Sequence, residues 1–170
     1  MAQLLLENLR NKIDLSSEEE QLILSRTERK SYKARTILVK PGDDAHFTYF
    51  VLQGILRSYM VDQNGVEHIL SFATADWWVA DMYSYLGKKP ATMYIDVTED
   101  CEVLILHKKD IEALFLEIPA LERFFRILTE NSLIAHQQRV LDKMALTAEE
   151  RYEKFMQNYP ETVHCLPQKY

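Results

Sequence analysis

The stretch FTYFVLQGILRSYMVDQNGVEHILSF, residues 47–72, is made of short runs rich in Phe, Tyr, Val and Ile and is interrupted at Gly54 and at Asn64-Gly65. Successive side chains of an extended chain point to opposite faces, so a period of two in runs rich in Phe, Tyr, Val and Ile predicts half-buried strands. Residues 47–53, 54–61 and 66–72 are three such runs. Asn64-Gly65 separates the last two, and this dipeptide favours a two-residue type I′ hairpin turn, with positive φ at both central positions.

The same period continues on either side. SYKARTILVK (31–40), TMYIDV (92–97) and CEVLILHK (101–108) read as further strands, with turns at Pro41-Gly42 and in TEDC (98–101). The fold class is mainly β with α: an antiparallel β-roll of the jelly-roll kind flanked by helices, with a generic antiparallel sandwich as the plainer alternative. Before the strands, SSEEEQLILSRT (16–27) reads as a short helix capped by Ser17, with Glu20 completing a capping box and acids in its first turn. After Asp110 the period becomes helical. DIEALFLEI (110–118) is one short helix, and from Pro119 to Leu146 the chain runs without Gly or a further Pro. At about 1.5 Å per residue that helix is about 40 Å long, more than a small domain needs to cover its core.

Two apolar seams run along this helix. Ile118, Leu121, Phe125 and Leu128 form one, while Phe124, Ile127, Ile134 and Leu141 recur at three- and seven-residue spacing on the other. One seam suits the strand domain and the other a second copy of the helix. Asn131 and Gln138 are the polar members that fix register, so Phe124, Ile127, Asn131, Ile134, Gln138 and Leu141 are the predicted homodimer interface. Thr147 with Glu150 then opens another capped helix, TAEERYEKFMQNYP (147–160), that ends before Pro160.

Composition narrows the function classes. The 170 residues are 47% hydrophobic and 27% charged with a net charge of −6, which suits a globular chain and argues against a surface that itself binds nucleic acid. Cys101 and Cys165 make no disulfide framework and no C-x-x-C pair, and the N-terminus lacks the basic and long apolar regions of a signal peptide. No apolar run is long enough to span a bilayer, so a cytoplasmic location without membrane contact is expected. The five histidines, His46, His68, His107, His136 and His164, form no H-x-H or H-x-x-x-H pair, and no nucleophile motif or P-loop occurs. The expectation is a protein that is not an enzyme and carries no metal or cofactor.

The order of elements, with PGD (41–43), YFVLQG (49–54), CEVLILHKKD (101–110), the long helix, ERYEKFMQNYP (150–160) and LPQKY (166–170), resembles the sensory half of a Crp/Fnr-type transcription regulator. The resemblance implies a cyclic-nucleotide-binding-like β-roll over residues 1–110, a connecting and dimerisation helix over 111–146, and the truncated start of a winged helix-turn-helix at 147–170. DNA would then be contacted only through the missing part.

WWVADMYSYLGKKPATMYIDV (77–97) falls where that family cradles the cyclic phosphate. The family's Gly-Glu pair, whose carboxylate holds the ribose, corresponds to Ala80-Asp81, followed by Met82. Its Arg-Ser or Arg-Thr phosphate clamp corresponds to Ala91-Thr92, and the helix positions that close over the base correspond to His136 and Gln137. Asp81 and Thr92 keep an acceptor and a hydroxyl, but the cation is gone. A buried charge-assisted clamp is worth about 2–5 kcal/mol, so a cyclic nucleotide should bind about 30- to several thousand-fold more weakly. Two readings of the pocket stay open. In one, a neutral or weakly charged, partly aromatic metabolite meets Trp77, Trp78, Met82, Tyr83 and Tyr85; in the other, those side chains fill the pocket of a ligand-free dimerisation scaffold. A small-molecule-binding β-roll that never contacts DNA is the alternative from another class. Lys88 and Lys89 read as a solvated turn.

Overall fold

The structure, a computed structural model, describes residues 3–158. It adds a helix not predicted above: α1 (Gln3–Arg10) turns Leu5, Leu6 and Leu9 inward. In α2 (Ser17–Ser25) the cap is Ser16 and not Ser17. Ser16 Oγ accepts from the Glu19 N–H at 3.2 Å, and Ser16 N–H donates to Glu19 Oε2 at 2.7 Å. Both serines have a glutamate three positions on; Ser16 is the one left in the extended conformation (φ −76°, ψ 163°) that an N-cap requires.

Eight strands follow: β1 (Glu28–Tyr32), β2 (Ile37–Val39), β3 (Phe47–Gln53), β4 (Leu56–Val61), β5 (Glu67–Ala73), β6 (Trp78–Val79), β7 (Tyr94–Val97) and β8 (Cys101–His107). They form two four-stranded sheets ordered β1-β8-β3-β6 and β2-β7-β4-β5, with antiparallel pairing throughout. Residues 31–40 are therefore not one strand. The chain turns at Lys33–Thr36 with Arg35 left-handed (φ 69°), and β1 and β2 enter different sheets. Neither Gly nor Pro marks this turn. It is tied instead by Asp100, which accepts from the Ala34 N–H at 3.0 Å and pairs with Lys33 at 2.6 Å.

The β4–β5 hairpin is present, but its turn is not type I′. Gly65 has positive φ (81°) and Asn64 does not. The Gly65 N–H donates to the Asp62 carbonyl at 3.0 Å, while Asp62 Oδ1 accepts from the N–H groups of Asn64 and Val66 at 2.9 and 3.0 Å. The Asp62 carboxylate thus organises a four-residue turn in which only the last position needs the freedom of glycine. Pro41-Gly42 forms a turn as predicted: Asp43 N–H donates to the Lys40 carbonyl at 3.1 Å, with Gly42 at φ 94°.

Between the sheets lies an apolar core that includes Val39, Tyr49, Val51, Leu56, Ala91, Ile95, Val97, Val103 and Ile105. Opposite-pointing residues of the same strands are used differently. Phe50 faces Trp78 at 5.0 Å between ring centroids. Arg57 on β4 is buried, makes a bidentate pair with Asp96 on β7 (3.0 and 2.6 Å), reaches Glu67 at 2.7 Å and lies 4.1 Å from the centre of the Tyr59 ring. Tyr59 stacks on Tyr94, completing a polar and aromatic patch that fixes the β4–β7 register.

The helices after the roll are α3 (Met82–Gly87), inserted between β6 and β7, then α4 (Lys108–Glu117), α5 (Ala120–Ala145) and α6 (Ala148–Asn158). The chain divides into two compact units, one ending at Leu121 and the other beginning at Glu122. In the second unit the Thr147/Glu150 capping box forms as predicted, and Lys154 pairs with Asp142 at 2.7 Å to join α6 to α5. The predicted features at Pro160, Cys165, His164 and 166–170 lie outside the described residues. Among the described residues no helix is long and apolar enough to cross a membrane.

Candidate functional site

The cradle segment leaves β5 through Thr74–Asp76, where Asp76 is left-handed (φ 72°). Asn8 of α1 holds this bend. Its amide nitrogen donates to the Asp76 carbonyl and carboxylate at 3.3 and 3.0 Å, and its oxygen accepts from Trp78 Nε1 at 3.0 Å. Trp78 is thereby held against Phe50 and α1, on the side of β3 away from the core. Met82 and Tyr83 are exposed, and Tyr85 is half-buried, its hydroxyl pushed up to about 12 by burial. None of Trp77, Trp78, Met82, Tyr83 or Tyr85 is among the residues of the apolar cluster between the sheets.

Asp81 is 1% exposed and uses both carboxylate oxygens on backbone donors. Oδ1 accepts from the Ser84 N–H at 2.9 Å, which caps α3; Oδ2 accepts from the N–H groups of Thr92 at 2.7 Å and Met93 at 3.2 Å, at the entrance to β7. This differs from the expected free acceptor for a sugar hydroxyl. The sequence did carry a signal for half of it, because Asp81 followed three residues on by Ser84 is an N-cap pattern. The reach to Thr92 and Met93 is a tertiary contact with no local signature.

Ala91 is 3% exposed and sits within the core cluster. Its backbone is joined to the Pro-Gly turn on both sides: Ala91 N–H donates to the Asp43 carbonyl at 2.8 Å, and Gly42 N–H to the Ala91 carbonyl at 2.9 Å. Ala91, which the resemblance sets at the family's phosphate clamp, is therefore an apolar contact. Ala80 is half-buried, while the Thr92 side chain is exposed, so the structure brings Ala80, Asp81 and Ala91-Thr92 to one place. Lys88 forms the left-handed end of α3 (φ 51°), its N–H donating to the Ser84 carbonyl at 3.1 Å, and Lys89 lies 5.3 Å from the Tyr83 ring centre.

Two residues that sequence reasoning missed complete the cradle. Ser84, fully buried, accepts from the Ala45 N–H at 3.0 Å through its hydroxyl, and Lys108 donates to the Tyr85 carbonyl at 2.7 Å. His136 and Gln137 are exposed residues of α5 in the second unit. Of the predicted interface, Phe124 is only 3% exposed within the single chain, whereas Ile134 and Leu141 are 65% and 51% exposed. Among the described residues no group of three His, Cys, Asp or Glu side chains is placed to hold a metal ion.

Residues 29–117 match the model of the cyclic nucleotide-binding domain. No curated protein matches the sequence. Among solved structures, the chain is similar to the catabolite activator protein of Thermus thermophilus (25% identity, TM-score 0.63, covering 75% of this chain and 60% of that one). It also resembles a cyclic nucleotide-binding domain from Methylobacillus flagellatus (18%, TM-score 0.70, 86% and 85%). A third similar structure is the c-di-GMP responsive global regulator CLP of Xanthomonas campestris (17%, TM-score 0.67, 86% and 73%). This chain thus spans 60% of the length of the Thermus protein, and its β-roll has the architecture of Crp/Fnr-type regulators. With its matched region centred on the roll and the cradle, the chain belongs to the cyclic nucleotide-binding domain family.

Proposed function

We propose that the chain is the sensory and dimerisation module of a Crp/Fnr-like transcription regulator, with a pocket not built for cyclic AMP. DNA reading is assigned to a helix-turn-helix outside the described residues. The observation that carries the regulatory role is the face of α5. In a helix of 26 residues, Leu133, Ile134, Val140 and Leu141 stay exposed in the single chain. Exposed apolar side chains at that density mark an interaction surface, and the seven-residue spacing of Ile127, Ile134 and Leu141 suits a second copy of the same helix, with Asn131 and Gln138 setting a parallel register. Phe124 is left out of this seam because it is already buried.

Sedimentation of the chain with Ile134→Glu and Leu141→Glu tests the dimer. The unaltered chain is expected to run as a dimer at tens of micromolar and the double variant as a monomer; an unaltered chain that is monomeric would contradict the proposal.

The effector reading rests on the cradle. With an apolar Ala91 in the clamp position, and both oxygens of Asp81 accepting backbone N–H groups, the pocket favours an uncharged effector over a cyclic phosphate. His136 and Gln137 remain the proposed hydrogen-bonding residues on the helix side. The same hydrogen bonds of Asp81 also favour a second reading, a dimerisation scaffold whose cradle needs no ligand.

A further inference from the structure

We infer that the Asp81 carboxylate is a resident anion: it occupies the backbone donors of the cradle and holds residues 80–93 closed with no small anion bound. The inference rests on the reading of this segment as the family's phosphate cradle and deepens it. Three N–H groups from two separate elements, Ser84 at the start of α3 and Thr92 and Met93 at the start of β7, converge on one carboxylate at 2.7–3.2 Å. That carboxylate is 1% exposed, so its hydrogen bonds replace its hydration almost completely. Charge-assisted bonds of this kind are among the strongest a backbone N–H can make, and leaving such a buried charge without donors is costly.

The segment is tied at further points. Ala91 is bonded in both directions to Gly42 and Asp43, Ser84 Oγ to the Ala45 N–H, and the Tyr85 carbonyl to Lys108. In a ligand-gated cradle the incoming anion would gather the two ends of the loop; here the chain's own side chain gathers them. A second anion would meet donors already in use and a negative charge beside them. The segment is therefore set in one geometry by folding itself, and the module's state does not depend on a phosphate-bearing ligand.

The test is amide hydrogen exchange and nuclear magnetic resonance on the whole chain. Asp81→Asn keeps the shape but replaces one acceptor oxygen with an amide group facing N–H donors. The Thr92 and Met93 amides are expected to exchange about ten- to a hundredfold faster in the variant, by the loss of a charge-assisted bond, while Ile95 and Val97 within β7 stay unchanged. In the unaltered chain, a scalar coupling through the hydrogen bond between the Thr92 amide and the Asp81 carboxyl carbon is also expected, and this reading does not depend on the variant folding. Unchanged Thr92 and Met93 exchange in Asp81→Asn, or inorganic phosphate shifting those two amides in the unaltered chain, would overturn the inference. Cyclic AMP binding that leaves both amide signals in place would contradict the proposed ligand preference and still support the resident anion.

Discussion

Gly54 connects β3 to β4 with φ 84°, and a Cβ built there would lie 2.6 Å from the Asp100 carbonyl oxygen and 2.6 Å from Cys101 Cβ. Both obstacles belong to the turn into β8, so neither can move without disturbing the centre of a sheet. Gly54→Ala combines a left-handed residue with a backbone overlap and is expected to cost about 2–5 kcal/mol, seen as a lower urea midpoint with an unchanged slope. Gly65 is the contrast, since a Cβ there meets nothing within 4 Å and only its φ of 81° opposes substitution. Cys101 lies on the inner side of the same contact. Burial pushes its thiol up to about 11, so at about pH 8 it holds far less thiolate than a free cysteine. In a Cys165→Ser background, thiol titration of the folded chain should show no fast-reacting group and one equivalent after denaturation; rapid labelling of the native protein would place Cys101 at the surface.

At the scale of elements, the buried Arg57–Asp96 pair is the strongest polar tie between two strands of the second sheet. Asp96→Ala removes the bidentate partner and leaves the buried Arg57 with Glu67, itself half open to water, so it is expected to destabilise by about 2–4 kcal/mol. Ser16→Ala, which removes only the α2 cap, should cost about 1 kcal/mol. Chemical denaturation of both variants checks the order, and equal losses would show that Glu67 alone is enough to hold the Arg57 charge. This pair also shows where sequence reading stops. Strands such as 47–53 and 101–108 were legible because short runs rich in aromatic and branched apolar residues, bounded by turn residues, are written into adjacent positions. The break between β1 and β2 was not, since it depends on Asp100 reaching back to Lys33 and Ala34 from a distant turn. β6 has two residues, too few for any period, and α1 gave its Leu5, Leu6 and Leu9 in a run short enough to pass as an isolated apolar patch. In the candidate cradle, that Ala91 carries no charge was plain from residue type alone, whereas the hydrogen bonds of Asp81 required the three-dimensional approach of Thr92 and Met93.

At the scale of the molecule, the proposed reading is of a β-roll of the cyclic nucleotide-binding family whose cradle keeps its outline without a phosphate clamp. The core residue Ala91 and the carboxylate of Asp81 act together: one removes the favourable charge, the other fills the donors. Losing a few kcal/mol from micromolar binding leaves an affinity of about millimolar. On the same reading α5 would meet a second copy regardless of cyclic nucleotide, and any effector would act through uncharged contacts. Titration calorimetry of cyclic AMP into the unaltered chain tests this account most directly: binding no tighter than about millimolar is the predicted result, and a micromolar dissociation constant with one site per chain would contradict it.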